Sequence, residues 1–244
     1  MRMLALLVSS LLLSGCTNMV RSETPWFGPA EAASAPPLRD GVWAAVDPDC
    51  RFDASRPLEQ WPGCAQGMVI RGGEKLELNV VESEDEHGRR ARSDYDWSSE
   101  AFVLAAGAPR IHQRACGEPG LPKADPPSAE GPADLSAVDE AVSRLVYCYA
   151  GLRADALDAE DRIVAFTTWP IWCGPFPRRA EGEGGPNVTD APFPGLTVVG
   201  EHCVAGDVAA LRTAATASET LPGSDEVTQA SGPARFRWIR DGWR

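Results

Sequence analysis

Apolar and polar residues alternate in several short stretches of the chain, with the period of strands. The clearest is Glu74 to Val80, where Leu76, Leu78 and Val80 alternate with Lys75, Glu77 and Asn79. With Met68 to Arg71 before it and Gly72-Gly73 between, this predicts a hairpin whose glycines supply the positive φ of a two-residue turn. The alternation also predicts that the Lys75, Glu77 and Asn79 face is wet. A second hairpin is predicted from Arg144–Arg153 and Arg162–Trp169, joined by a turn at Asp158–Asp161. Gly41–Val46, Ala101–Ala106, Arg110–Ala115 and Leu196–Gly200 read as further strands. In the last strand, Ala234–Ile239, Phe236 and Trp238 alternate with Arg235 and Arg237. One segment has helical period: Val208 to about Glu219, with Asp207 as cap and Val208, Leu211 and Ala215 on one face. Pro57 and Trp61-Pro62 bound a single helical turn between Cys50 and Cys64. The fold class expected is mainly β (α+β), an antiparallel sheet or partly open barrel with one helix in the C-terminal half.

Between these elements lie a charged stretch, Glu82–Arg92, and two Pro/Gly-rich loops, Gly117–Asp134 and Gly174–Gly195. Residues 17–37, TNMVRSETPWFGPAEAASAPP, have no sustained apolar period and read as a flexible tether reaching roughly 60 Å if extended. Trp26-Phe27 is the apolar pair in it with the means to dock on the domain. A single domain is expected over 38–244.

The start of the chain carries a different pattern. Met1-Arg2-Met3 is a short basic start and Leu4 to Leu13 an apolar run, too short for a spanning helix, which needs about 20 residues. Leu13-Ser14-Gly15-Cys16 resembles the lipobox of bacterial lipoprotein precursors. That resemblance implies a signal peptide over residues 1–15, lipid on the Cys16 sulfur and acylation of the new amino terminus. Several acyl chains anchor stably where one does so only marginally. With Thr17, not aspartate, after the cysteine, the resemblance further implies the outer membrane, facing the periplasm.

Charge narrows the partners. The chain has 23 Lys plus Arg against 35 Asp plus Glu, a net charge of −12, and loses Arg2 with the leader. Such a field repels phosphate backbones, so nucleic acid is not an expected partner. Six cysteines follow Cys16: Cys50, Cys64, Cys116, Cys148, Cys173 and Cys203. An even, widely spaced set behind an export signal reads as three disulfides, whereas structural zinc takes close Cys-x-x-Cys or Cys-x-x-His pairs, which are absent here. Neighbours in sequence flank loops poor in regular structure, so the expected pairing is Cys50 with Cys64, Cys116 with Cys148 and Cys173 with Cys203. On the chain-entropy account such loops contribute about 3 kcal/mol each. Parity opposes the middle pair, because Cys116 alternates with Arg110, His112 and Arg114 while Cys148 alternates with Val146, Ala150 and Leu152.

No Gly-x-Ser-x-Gly elbow, His-Glu-x-x-His pair, phosphate loop or dinucleotide fingerprint is present, and no cofactor is expected. Glu84-Asp-Glu-His87 reads as a solvated acidic loop, and a carboxylate pair such as Glu84 and Asp94 has no assignable geometry. His112 falls on the polar parity of its strand, and His202 precedes Cys203. Asn187-Val-Thr189 matches a glycosylation sequon that a bacterial lipobox makes irrelevant. Of eight tryptophans, Trp43, Trp169 and Trp238 fall on predicted strands and are expected in the core. Arg235, Arg237, Arg240 and Arg244 outweigh Asp241 locally and suit an acidic partner, a membrane or an edge strand protected by charge.

Gly41-Val-Trp43 resembles the Gly-x-Trp of lipocalins and Ser93-Asp-Tyr95 their Thr-Asp-Tyr motif. The resemblance implies an eight-stranded barrel carrying an apolar ligand, although some 150 residues follow the second motif, more than such a barrel uses. The function expected is therefore non-catalytic: a lipid-anchored envelope protein that binds a protein or envelope component, with a lipocalin-like carrier of an apolar small molecule as the alternative.

Overall fold

The alternating stretches pair as antiparallel strands. The computed structural model describes residues 18–46, 50–62, 64–81, 94–116, 146–176, 188–221 and 233–242. Its strands are β1 (Arg21–Ser22), β2 (Gly41–Val46), β3 (Ala65–Arg71), β4 (Glu74–Val81), β5 (Asp94–Ala101), β6 (Val103–Ala105), β7 (Arg110–Cys116), β8 (Val146–Leu157), β9 (Ile163–Pro170), β10 (Leu196–Val199), β11 (His202–Ala205) and β12 (Ala234–Arg240). The helices are α1 (Pro29–Ala33) and α2 (Val208–Glu219), with a 3-10 turn at Leu58–Gln60.

The main sheet runs β5-β4-β3-β2-β12-β9-β8-β7-β6. Its two ends are consecutive in the chain, separated only by Phe102, so one run of backbone pairs with β4 by its first part and with β7 by its last. The sheet is thereby a nearly closed barrel, and counting β5 and β6 as one stave gives eight. Full closure is the general way to remove sheet edges. β12 pairs with β2 on one side and β9 on the other, so the edge-strand expectation for the arginine-rich C-terminal strand is overturned. Arg235 and Arg237 are exposed on its outer side, while Arg240 donates to the backbone oxygens of Ala54 and Arg56 and so holds the Cys50–Cys64 loop.

Register decides which parity is inside, and for β4 it reverses the expectation. Met68 lies opposite Glu77 and Ile70 opposite Lys75, so both charged residues share the inner face with Trp43, Met68 and Ile70. Leu76 and Leu78 point outward instead, into a small cluster with Val42, Leu58, Val69 and Trp61. The 3-10 turn after Cys50 covers that apolar outer face, which is why it need not be wet. Likewise His112 is buried.

The same registers remove the parity objection to the middle disulfide. Arg114 pairs with Cys148 and Cys116 with Val146, which places Cys116 and Cys148 diagonally on one face. The six thiols pair in sequence order, with Cα separations of 5.7 Å for Cys50–Cys64, 5.8 Å for Cys116–Cys148 and 5.7 Å for Cys173–Cys203. All three fall within the usual span of about 4.4–6.8 Å.

After β9 the chain leaves the barrel, forms the β10–β11 hairpin and α2, and returns as β12. Asp207 accepts the Ala210 N–H at 2.7 Å and caps α2. The apolar face of α2, Leu211, Ala214 and Ala215, packs outside the barrel in one cluster with Val20, Tyr149, Ile171 and Cys203. This inserted layer accounts for part of the chain beyond an eight-stranded barrel.

Residues 18–37 are not a tether, which corrects the sequence-based expectation. Val20 bridges Cys203, β1 pairs with β8 at Cys148 and Tyr147, and Leu38 bridges Ile163. Gln113 accepts the N–H groups of Trp26 (2.7 Å) and Phe27 (3.0 Å) and donates to Phe27 O (2.9 Å). Val20, Phe27 and Leu38 are buried. The segment is a strap whose anchors are spaced irregularly, so it shows no period although it is fixed at both ends. Cys16 and Thr17 lie outside the described residues.

Candidate functional site

The strap and the barrel together form a cavity of about 680 Å³. Pro29, Ala32, Ala35 and Pro36 of the strap make one wall, and Ile70, Phe102, Val103 and Leu104 of the barrel the other. This is the end of the barrel that carries the β3–β4 turn, where Gly72 and Gly73 hold φ of 59° and 83° as a two-residue turn requires. Two charged residues reach the rim, and both are engaged. Asp40 accepts the Gly72 N–H at 3.0 and 3.2 Å, and Arg162 Nε donates to Asp158 at 2.9 Å. The volume is within the range of about 300–1,000 Å³ typical of small-molecule sites. None of the described tryptophans lines it.

A second, smaller cavity of about 240 Å³ lies inside the barrel toward the opposite end. Lys75, His112, Arg114, Thr168 and Phe236 line it. Lys75 Nζ is held by two carboxylates, Glu77 Oε1 at 2.5 Å and Glu100 Oε1 at 3.0 Å, the latter directly across the β4–β5 ladder. Phe102 stacks on the His112 imidazole with centroids 4.0 Å apart and planes inclined by 15°. Since Phe102 lines the mouth cavity and His112 the inner one, the stacked pair is a partition between them. His112 Nε2 is buried with no hydrogen-bond partner. Burial pushes the imidazole pKa down to about 3, with the positive charges of Lys75 and Arg114 adding to the effect. The ring is therefore neutral at pH 7, a hydrogen-bonding group without charge.

Nearby polar groups secure the strap. Tyr149 OH and Ser22 Oγ are 2.5 Å apart, and burial raises the phenol pKa to about 12, so it stays protonated and available as a donor. His202 is lowered by partial burial and by Arg21.

The sequence-predicted site residues divide clearly. The six disulfide cysteines are brought together as three pairs, whereas Cys16, Glu84, His87 and Asn187 lie outside the described residues. Asp94 begins β5. Trp43 and Trp169 are core residues, 0% and 1% exposed. Trp238 is half-buried under the Arg39 guanidinium, 3.7 Å from the ring centroid. No cluster of three metal-ligating side chains occurs among the described residues, nor a helix long and apolar enough to cross a membrane. Missing from the sequence reading were the strap as cavity wall and the inward Lys75–Glu77–Glu100 group. Their one signal was a polar parity on strands that had to be buried somewhere. Comparison of the chain with family models, with curated proteins and with solved structures gives no match.

Proposed function

We propose that this chain is a lipid-anchored protein of the bacterial envelope, held in the outer membrane through Cys16, whose barrel binds one apolar small molecule at its mouth. The observation that carries the binding role is the cavity of about 680 Å³ between strap and barrel, walled by apolar side chains, with its two charged residues at the rim, where Asp40 accepts the Gly72 N–H and Arg162 pairs with Asp158. Burying an unpaired charge costs several kcal/mol, so a wall without one selects an uncharged, apolar occupant. A nearly closed antiparallel barrel is compatible with a lipocalin-like carrier, the alternative that the sequence raised. Native mass spectrometry of the extracted protein tests this. A 1:1 adduct with an apolar molecule is expected, and Ala32→Trp, which fills the cavity from the strap side, abolishes it. No adduct, or one indifferent to Ala32→Trp, would overturn the assignment. The anchor is tested separately: alkyne fatty acid fed to cells labels the wild type and leaves Cys16→Ala unlabelled.

A further inference from the structure

The described chain begins pinned to the domain. Asn18 N–H donates to Glu201 O (2.7 Å), and Asn18 O accepts the Cys173 N–H (2.7 Å). The Asn18 side chain donates from Nδ2 to Gly174 O (3.1 Å) and accepts the Thr189 N–H at Oδ1 (2.9 Å). The residue is wholly buried at a φ of 62°, a left-handed conformation that asparagine tolerates better than most side chains. Its four hydrogen bonds reach three separate segments, so they fix its position in all directions. Cys16 precedes it by two residues, and two residues of chain span at most about 7 Å. An acyl group on Cys16 is therefore tied within that reach of Asn18, whose N–H meets Glu201 in the turn of the β10–β11 hairpin.

That hairpin has a second property. Val198 and Val199, just before the turn, are 37% and 47% exposed. The other exposed large hydrophobic among the described residues, Leu157, ends β8 far from this point. β1 meets β8 at Cys148, nine residues earlier, and nine strand residues span about 30 Å. Two adjacent apolar side chains are thus exposed where the acyl group emerges.

Resting on the anchor reading, we propose that the β10–β11 hairpin is the surface by which the domain sits on the bilayer, Val198 and Val199 entering the leaflet that holds the acyl chains. A net charge of −12 gives no attraction to anionic head groups, so the contact is apolar. The barrel mouth, at the β3–β4 turn and Arg162, lies at the other end of the molecule and faces away from the membrane. An occupant of the mouth cavity then arrives from the aqueous side.

The test is spin-label depth by power saturation in the full acylated protein. Val198→Cys and, separately, Leu157→Cys are labelled with the three disulfides intact and reconstituted in phosphatidylethanolamine–phosphatidylglycerol vesicles. The Val198 label is expected to favour oxygen over the aqueous nickel relaxant, as lipid-inserted labels do, while the Leu157 label stays water-like. In the Cys16→Ser chain both are water-like. An acylated, vesicle-bound protein whose Val198 label is as wet as its Leu157 label overturns the seating and leaves the anchor standing. Absence of fatty-acid labelling overturns the anchor and the seating together.

Discussion

His112→Phe is expected to stabilise the fold, and to do so more strongly as the pH falls. The wild-type imidazole is buried, with Nε2 unpartnered and Lys75 and Arg114 nearby. An unsatisfied buried polar group costs about 1–3 kcal/mol. A phenyl ring keeps the stack on Phe102 without that group, and the adjoining cavity of about 240 Å³ gives the larger ring space. A gain of about 1 kcal/mol is expected at pH 7. The pH term follows from linkage. The folded imidazole titrates near 3 and the unfolded one near 6.5, so between these values the unfolded chain binds more protons and stability falls with falling pH. At pH 7 that term is negligible, and at pH 5 it reaches roughly 2 kcal/mol, from about one and a half pH units at about 1.36 kcal/mol each. The His112→Phe variant has no such term, so its advantage grows to roughly 3 kcal/mol at pH 5. His202, also lowered, titrates equally in both proteins and cancels. Urea midpoints for wild type and variant at pH 7 and pH 5, without reductant, measure the difference. An advantage that does not widen between the two pH values would refute the assignment of a buried, neutral His112.

Two further substitutions probe the strap and the barrel wall. Gln113→Ala removes three hydrogen bonds to Trp26 and Phe27 and leaves their backbone groups unpaired, which costs about 2 kcal/mol. Amide exchange across residues 26–38 should accelerate while that of β8 and β9 changes little, and uniform acceleration would mean the strap is not a separate unit. Gly151→Ala places a methyl group against the indole of Trp169, whose Nε1–H is fixed to Ala215 O at 2.8 Å. The indole is 1% exposed and tied to Ala215, so a loss of about 2 kcal/mol is expected in thermal unfolding. A melting temperature unchanged from wild type would show that the indole is not so held.

The hairpin around Gly72-Gly73, the capped helix from Asp207 and the sequential disulfides were legible because each rests on a local signal: alternation, a cap, a pair of thiols flanking a loop. β5 was not, because Asp94-Tyr-Asp-Trp-Ser-Ser-Glu-Ala offers few apolar residues and its place in the sheet is fixed by its partner β4 and by its continuation into β6, which pairs with β7. Alternation also cannot say which parity is inside. Lys75 and Glu77 looked wet, and only the cover of Leu58 and Trp61 over Leu76 and Leu78 turns their parity inward, burying Lys75 while the Glu77 side chain stays 47% exposed. The strap failed for another reason. Val20 and Phe27 pack in the outer cluster and Leu38 in the barrel core at irregular spacing, so no period links them, and a Pro/Ala-rich composition suggested freedom where contacts distant in sequence impose order.

The two cavities differ in kind, and the difference decides where an apolar molecule can sit. Lys75 in the inner cavity makes its ion pairs with Glu77 and Glu100 at the edge of a space partly lined by polar groups. Filling that space with hydrocarbon would strip the remaining water from Lys75 and Arg114 without replacing the lost hydrogen bonds, at several kcal/mol. At the mouth, Asp40 and Arg162 stand at the rim and the walls behind them are apolar, so an occupant that leaves the rim in water strips no charge, and each Å² of apolar wall covered returns about 25 cal/mol. The Phe102–His112 stack keeps these environments apart, presenting its hydrocarbon ring to the mouth and its nitrogen-bearing ring to the interior. Phe102 is therefore the residue at which the barrel changes from a surface that favours an apolar occupant to one that excludes it.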